Sequence, residues 1–242
     1  MKYKKVKEAT FRSRPNRFIA NVTVDGAEET VHVKNTGRCK ELLYEGVRIF
    51  LEDHEENRKT RKTRYSLVTV EKKDDRAKSP GVRLINIDSQ APNRIVREAL
   101  SDGSITLPGL GFPFDRIKPE VTYGASRFDF YVEDKKGNEA YIEVKGVTLE
   151  EDGIARFPDA PTERGVKHIK ELCHALDQGF AAYLIFVVQM KGINFLEPND
   201  ETHPAFGEAL REAHDKGVVI LAYDCNITSD SMTIGEPVPI KL

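Results

Sequence analysis

The chain has 242 residues, of which 39% are hydrophobic and 31% are charged, and its formal net charge at pH 7 is −2. This composition is typical of a globular protein with one large domain or two modest ones. The near-zero net charge argues against a strongly basic nucleic-acid binder.

The charges are unevenly distributed along the chain. Residues 1–80 carry 20 Lys and Arg against 13 Asp and Glu, a balance of +7, whereas residues 81–242 carry 17 against 26, a balance of −9. We expect the N-terminal part to meet a polyanion and the C-terminal part to gather carboxylates. Dispersed surface charge without a partner is the alternative.

Two features predict a cytoplasmic protein that does not contact a membrane. No apolar run approaches the length of a membrane span, and residues 1–6 lack the apolar segment of a signal peptide. Cys39, Cys173 and Cys225 lie far apart without a CxxC spacing. We interpret them as reduced thiols, not as a disulfide framework or a zinc site.

Short β-strands dominate residues 10–80. Arg17–Val24 and Glu29–Val33 are predicted to form a hairpin whose turn is Asp25-Gly26. Val47–Leu51 and Tyr65–Val70 are two further predicted strands. Strands at this spacing are typical of a small barrel.

Five cations crowd into residues 57–64, between the last two of these strands. They are Arg58, Lys59, Arg61, Lys62 and Arg64. A cationic run without an acid is the composition expected of a loop that contacts phosphate, so these are candidate nucleic-acid-binding residues. A solvated loop without a ligand explains the run equally well.

A polar stretch that ends in Pro80-Gly81 predicts a boundary between domains spanning residues 1–80 and 81–242. Val82–Ile87 follows as a short predicted strand. Asn93–Leu100 is a predicted helix, because its apolar residues recur on one side.

The stretch from Phe128 to Lys145 carries the chemistry. Phe128–Val132 and Ala140–Lys145 are predicted to be strands of a hairpin with Gly137-Asn138 in its turn. Side chains alternate between the faces of a strand, so Asp129 points away from its apolar neighbours, and Glu143 and Lys145 share a face. Two carboxylates and an ammonium group therefore converge between paired strands.

Such a group of side chains suits a divalent cation, because hard cations bind carboxylate oxygens and a lysine beside them can hold or deprotonate a water. Glu120, on the segment that leads into the hairpin, is a third candidate carboxylate. Charges that only solvate the surface of the hairpin are the alternative for all four residues.

The rest of the chain alternates helices and buried strands. A helix is predicted from near Pro161 to Gly179, followed by a buried strand at Ala181–Val188. A second helix at Phe206–Lys216 and a second buried strand at Val218–Tyr223 follow. The C-terminal part is therefore predicted to be an α/β domain with a mixed central sheet flanked by helices.

The order Asp, then Glu-x-Lys on the next strand, resembles the PD-(D/E)xK nuclease core. Nearly the whole chain also resembles the sugar fermentation stimulation protein A family. The matching stretches include Arg17-Phe18, Asn35-Thr36-Gly37, Glu120–Gly124, Asp129-Phe130, Tyr141–Lys145, Phe157–Gly165 and Lys167-His168. One departure is Lys34, where a proline is expected before Asn35.

This resemblance implies an OB-like nucleic-acid-binding domain in residues 1–80 and a restriction-endonuclease-like domain in residues 81–242. It implies that Asp129 and Glu143 are metal ligands, joined by the Val144 carbonyl, and that Lys145 orients the attacking water or stabilises charge on the phosphate. Glu120 would add a carboxylate. Glu163, Arg164 and Lys167 on the following helix would support these groups or touch phosphate, although a salt bridge between Glu163 and Lys167 is the simpler interpretation.

The expected metal is Mg²⁺ or Mn²⁺, since the proposed ligands are all oxygens. The sequence thus predicts a DNA-binding protein with a metal-dependent deoxyribonuclease site that hydrolyses phosphodiester bonds. The alternative is a non-catalytic DNA-binding regulator of sugar-metabolism genes on a nuclease-like scaffold. The strandedness and sequence preference of the DNA, and homodimer formation, are left open.

Overall fold

The computed structural model describes residues 1–35, 37–74, 81–124 and 126–242, and gives the backbone alone for residues 57–59 and 74. The chain forms two compact units. The first consists of Met1–Ala91, Gln189–Lys191 and Cys225–Thr233, and the second consists of Pro92–Val188, Gly192–Asp224 and Ile234–Leu242.

The first unit therefore extends past the expected boundary at residue 80 and includes two short pieces from later in the chain. Residues 75–80 themselves lie outside the described part of the chain. The strand predicted at Val82–Ile87 pairs with the strand before it, which is why it belongs to the first unit.

Six strands form the sheet of the first unit. They are β1 (Val6–Asn16), β2 (Ile19–Val24), β3 (Ala27–Val33), β4 (Arg48–Asp53), β5 (Tyr65–Asp74) and β6 (Gly81–Asn86). Their order is β3-β2-β1-β4-β5-β6, and an additional pairing of β3 with β5 closes the first five into a barrel. The predicted small barrel is confirmed.

Every second side chain of a barrel strand points into the barrel interior, as β2 shows. Its residues Ala20, Val22 and Val24 are buried, and the residues between them are half-buried. The predicted turn at Asp25-Gly26 is present, and both residues have positive φ, 52° and 81°. Two-residue hairpin turns of this kind require positive φ, which glycine and aspartate tolerate.

The prediction missed β1, the strand that lies between β2 and β4. Of its 11 residues only Ala9 and Phe11 are buried, and most of the others are charged or polar. A strand with so few apolar residues lacks the hydrophobic alternation by which strands are detected.

The second unit contains three helices and most of the remaining strands. The helices are α1 (Ala91–Asp102), α2 (Glu163–Asp177) and α3 (Pro204–Lys216). The strands from here to the C-terminus are β7 (Phe114–Tyr123), β8 (Ser126–Asp134), β9 (Glu139–Val147), β10 (Glu150–Glu151), β11 (Ile154–Phe157), β12 (Ala181–Val188), β13 (Phe195–Pro198), β14 (Val219–Ile227) and β15 (Met232–Pro237).

The main sheet is mixed and has the order β15-β14-β12-β9-β8-β7. Strand β12 runs parallel to both neighbours, β14 and β9, whereas β7, β8 and β9 are antiparallel. All but the first residue of β12 are buried, as expected of a strand covered on both faces. Strands β10, β11 and β13 form a separate small sheet. The predicted α/β fold with a mixed sheet is confirmed.

Helix α2 begins slightly later than predicted. Thr162 caps it, because the Thr162 hydroxyl accepts a hydrogen bond from the amide of Gly165 at 3.0 Å. Its buried stripe consists of Gly165, His168, Ile169, Leu172 and Ala175. None of the described helices combines the length and the apolar character that crossing a bilayer demands.

Candidate functional site

The predicted site lies where the pairing between β8 and β9 ends. Phe130 pairs with Ile142 in the antiparallel register. One residue before Phe130, the Oδ2 atom of Asp129 accepts a hydrogen bond from the amide of Val144 at 2.7 Å. The carboxylate of β8 is therefore fixed against the backbone of β9, one residue from Glu143.

Asp129 has one donor on each oxygen. Its Oδ1 atom accepts a hydrogen bond at 2.7 Å from the side-chain amide of Asn93, in the first turn of α1. Burial and the nearby Glu143 carboxylate raise the pKa of Asp129, although both hydrogen bonds oppose that shift. A carboxylate oxygen has two lone-pair positions, so each oxygen of Asp129 can accept a second partner.

Glu143 is buried, with 3% of its surface exposed. Its Oε1 atom accepts hydrogen bonds from the Lys145 ammonium group, at 2.7 Å, and from Nδ1 of His168 on α2. Its Oε2 atom is also buried but has no hydrogen-bond partner among the described residues. Burial alone would raise the pKa of Glu143, but the hydrogen bond from His168 and the charge and hydrogen bond of Lys145 outweigh it and hold the pKa below its usual value.

The hydrogen bonds of His168 assign the donor and acceptor roles of its two ring nitrogens. Arg164, one turn earlier on α2, donates its Nε–H to Nε2 of His168 at 3.3 Å. Because a guanidinium group can only donate, Nε2 must accept and the ring proton is on Nδ1. His168 therefore donates to Glu143 through Nδ1, and Arg164 fixes the orientation of its ring.

This arrangement suits a cation that takes few protein ligands. Among the residues that the structure describes, no three His, Cys, Asp or Glu side chains are grouped so that they could hold a metal. Mg²⁺ usually keeps several waters and is bound by one or two carboxylates together with substrate phosphates. Two adjacent carboxylates, one of them with an unpaired buried oxygen, fit such an ion.

The structure does not bring Glu120 to this pair. Glu120 lies between Pro119 and Val121, which pair with Phe130 and Phe128, so it is opposite Asp129 in the register. Its φ is 53°, however, and its carboxylate, 67% exposed, lies 3.6 Å from the guanidinium of Arg127.

The three supporting residues predicted on α2 differ in position. Arg164 reaches the site through His168. Glu163 is 90% exposed and lies 3.3 Å from Nε2 of His203, away from Glu143. Lys167 lines a shallow surface depression together with Lys170.

The predicted nucleic-acid-binding loop lies in the first unit. Arg61 donates to the Ser66 hydroxyl at 2.8 Å, and Arg64 donates to both oxygens of Asp53, at 3.0 and 2.8 Å. Lys62 is exposed. The side chains of Arg58 and Lys59 lie outside the described residues.

Two residues of the site were missed in the sequence, Asn93 and His168. Asn93 gave no signal, because an asparagine in the first turn of a helix is ordinary. His168 did give one, since it belongs to the buried stripe of α2 with Gly165 and Ile169. A polar ring in such a stripe must find a buried partner.

Known proteins resemble this chain over its whole length. Residues 90–231 match the family model described as the sugar fermentation stimulation protein RE domain, and residues 13–77 match the SfsA N-terminal OB domain. A sugar fermentation stimulation protein homolog of Desulfitobacterium hafniense (strain DSM 10664 / DCB-2) is 51% identical over 242 residues, covering 100% of this chain and 99% of that protein. The homolog of Ruminiclostridium cellulolyticum (strain ATCC 35319 / DSM 5812 / JCM 6584 / H10) is 49% identical, covering 100% of both chains.

A solved structure shares the fold. The SfsA of Pyrococcus furiosus, determined in complex with Ca²⁺, is 26% identical and superposes with a TM-score of 0.85, covering 100% of this chain and 98% of its own. Both family models and both relatives agree with the resemblance seen in the sequence. The chain belongs to the sugar fermentation stimulation protein (SfsA) family.

Proposed function

We propose that this protein binds DNA and hydrolyses phosphodiester bonds at a metal-dependent site built on Asp129 and Glu143. The observation that carries the proposal is the Oε2 atom of Glu143, a buried carboxylate oxygen without a hydrogen-bond partner among the described residues. An unpaired buried polar atom is unfavourable, so its presence calls for a group that completes its bonding. The neighbouring Asp129 carboxylate makes a cation the best candidate.

Mg²⁺ or Mn²⁺ is the proposed metal, because the ligands available are oxygens. The Ca²⁺ complex of the Pyrococcus furiosus relative supports a hard divalent cation in this family. Asp129 and Glu143 would hold the ion, and the Val144 carbonyl is the proposed third oxygen. When bound, such an ion supplies an activated water and offsets charge on the leaving oxygen.

The side chains of the chain itself prepare this chemistry. Lys145, bonded to Glu143, supplies a positive charge for the attacked phosphate. His168 and Arg164 fix Oε1 of Glu143, which directs Oε2 to the proposed metal. Glu120 would have to leave Arg127 before it could contribute a carboxylate.

DNA binding is proposed for the first unit, acting as the OB-like domain of residues 1–80, while residues 81–242 carry the nuclease site. In the cationic run of residues 57–64, which we call the basic loop, Lys62 is exposed and able to contact phosphate. Arg58 and Lys59 are proposed contacts as well. A cytoplasmic location and a homodimer remain proposals.

A plasmid-nicking assay tests the function. We expect purified protein to nick supercoiled plasmid in Mg²⁺ or Mn²⁺, and the variants Asp129→Asn and Glu143→Gln each to lose more than about 100-fold in rate, because even the removal of an outer-shell partner costs 10–100-fold. Glu143→Gln keeps a carbonyl oxygen that can accept from His168 and Lys145, so we expect the fold to be retained. The variant presents an amide group to the metal in place of the carboxylate oxygen, so we expect metal binding to be lost. Glu139→Gln, on the same strand β9, is the matched control.

Cleavage that persists in both site variants would mean that a contaminant or another site is responsible. A second candidate function, a DNA-binding regulator without catalysis, is favoured by one observation, the absence of a third grouped acid among the described residues. It predicts DNA binding in EDTA and no nicking by the wild type with any divalent metal.

A further inference from the structure

The tip of the β1–β2 hairpin presents an aromatic ring to solvent. Phe18 is 55% exposed, the largest exposed fraction of any large hydrophobic side chain in the described part of the chain. The guanidinium carbon of Arg17 lies over this ring, 5.7 Å from its centroid. A single exposed apolar residue is ordinary, so the surroundings of Phe18 decide whether it has a function.

The hairpin tip is held rigidly by Arg14. Its guanidinium group donates to four backbone carbonyls, those of Arg17, Asn35, Gly37 and Arg38, at 2.6–2.9 Å. These bonds tie the hairpin to the loop that follows β3.

The backbone on either side of Phe18 is also fixed. The side-chain oxygen of Asn16 accepts hydrogen bonds from the amides of Phe18 and Ile19, at 2.9 and 3.2 Å. The Phe18 carbonyl accepts from the amide of Val33 at 2.8 Å. The exposed ring therefore stands on a backbone with little freedom left to lose on binding, which favours affinity.

The two segments joined by Arg14 are cationic. Residues 12–18 and 34–40 contain six Lys and Arg and no Asp or Glu. Four of these cations are exposed, namely Arg12, Arg17, Arg38 and Lys40. In the basic loop, by contrast, Arg64 is paired with Asp53 and Glu55.

An exposed ring among cations matches the chemistry of a nucleic-acid strand with unpaired bases. Aromatic side chains stack on base faces, and cations follow the phosphates. In a duplex the neighbouring pairs cover the faces of the bases, so the ring gains nothing there.

We propose that Phe18, Arg17 and Arg38 form a binding site for single-stranded nucleic acid, in which the ring stacks on an unpaired base and the two guanidinium groups contact the flanking phosphates. We call these three residues the Phe18 platform. The proposal adds a preference for single strands to the proposed DNA-binding function. It rests on that function only in taking the ligand to be a nucleic acid. Binding at the platform requires no metal.

The test is fluorescence anisotropy in EDTA with labelled oligo(dT) and oligo(U) of about 15 nucleotides, near the upper end of what one OB fold covers, and with a duplex of the same length. We expect the wild type to bind a single strand more tightly than the duplex. Phe18→Ala should weaken single-strand binding by about 5- to 150-fold, the equivalent of one lost base stack.

Matched variants separate stacking from other causes. Phe18→Leu keeps an apolar side chain without a π face and should lose as much as Phe18→Ala, whereas Phe18→Trp should retain wild-type affinity. Phe112→Ala removes a ring of similar exposure, 50%, from the second unit and should change nothing. Arg17→Ala should reduce the salt slope of binding by about 1.

Loss of affinity for either single strand supports the platform, and the strand bound more tightly identifies the polymer. Wild-type affinity in Phe18→Ala or Phe18→Leu, or an equal loss on the duplex, would overturn it. Ca²⁺ binding measured by calorimetry should be unchanged in Phe18→Ala. If the Phe18 variants bind normally but the wild type nicks plasmid, the platform is wrong and the nuclease proposal is retained. If the wild type does not nick plasmid but single-strand binding depends on Phe18, the nuclease proposal is wrong and the platform is retained.

Discussion

The two ends of the β8–β9 hairpin each hold a buried carboxylate, but the two are bonded in opposite ways. At the turn, Asp134, 2% exposed, accepts four hydrogen bonds, two on each oxygen. The donors are the amides of Gly111, Lys136 and Asn138 and the side chain of Asn138. At the other end, Glu143, 3% exposed, has two donors on Oε1 and none among the described residues on Oε2.

Under the proposed function, this difference separates an acid that stabilises the fold from one that binds a metal. Every lone-pair direction of Asp134 is used, and these hydrogen bonds lower its pKa well below the usual range. Glu143 is equally buried but only half satisfied. Burial alone therefore does not distinguish the two carboxylates, whereas incomplete hydrogen bonding does, and it is the feature on which the proposed metal site rests.

The largest effect is expected at Glu143, when the hydrogen bond from His168 that positions its carboxylate is removed. His168→Ala deletes the donor that directs the carboxylate, so we expect Ca²⁺ affinity measured by calorimetry to fall by about 10–100-fold. His168→Asn places an amide N–H near the position of Nδ1 and should restore part of the affinity.

His174 provides the matched control on the same helix. It is exposed and bonds to the Tyr123 hydroxyl at 2.9 Å, away from Glu143. We expect His174→Ala to bind Ca²⁺ like the wild type. Equal affinity in His168→Ala and the wild type would show that Glu143 is positioned without His168.

A smaller effect is expected at Asp134, on stability and not on metal binding. Asp134→Asn keeps one acceptor oxygen but turns an amide N–H₂ toward the N–H groups of Gly111 and Asn138. We expect a lower Tm at neutral pH in thermal unfolding, with Ca²⁺ affinity unchanged. Weakened Ca²⁺ binding in the folded variant would contradict the proposal that Asp134 stabilises the fold and takes no part in metal binding.

The stability difference at Asp134 should depend on pH. Since the pKa of Asp134 is lower in the folded protein than in the unfolded chain, its ionised form stabilises the fold above the unfolded pKa of about 4. That contribution is lost as the pH falls below this value toward the folded pKa. The Tm deficit of Asp134→Asn should therefore be full above about pH 5 and shrink near pH 3.

The smallest effect is expected for two cations of the first unit, one bonded to a carboxylate and one exposed to solvent. Arg64 is bonded to Asp53, and that bond lowers the pKa of Asp53, whereas Lys62 is exposed. Lys62→Ala should reduce the salt slope of DNA binding by about 1 without changing Tm. Arg64→Ala should lower Tm instead. An unchanged salt slope in Lys62→Ala would remove this loop from the DNA-binding surface.

Local pattern was enough to predict the two strands of the hairpin and the side chains that they present. Alternation along β8 and β9 places Asp129 on one strand and Glu143 with Lys145 on the next, and the structure has the same arrangement. The buried strand β12 was equally clear, since a continuous apolar run of this length has few other interpretations.

Contacts between distant residues could not be predicted in the same way. His168 is 25 residues from Glu143, and Asn93 is 36 residues from Asp129, so no local spacing reveals either bond. The basic loop shows the reverse case. A run of cations looked available in the sequence, but folding brings Arg64 to Asp53, 11 residues away.

The barrel of the first unit is sealed along a short seam. Among the described residues, β3 and β5 form two residue pairs, His32 with Ser66 and Val33 with Leu67, whereas β2 and β3 form six. Pairing at this seam covers one end of the β3 edge, which an unpaired strand would otherwise offer to other chains. Because so few backbone bonds hold this seam, its amides should exchange with solvent sooner than those of the other barrel strands, and thermal opening of the barrel should begin there.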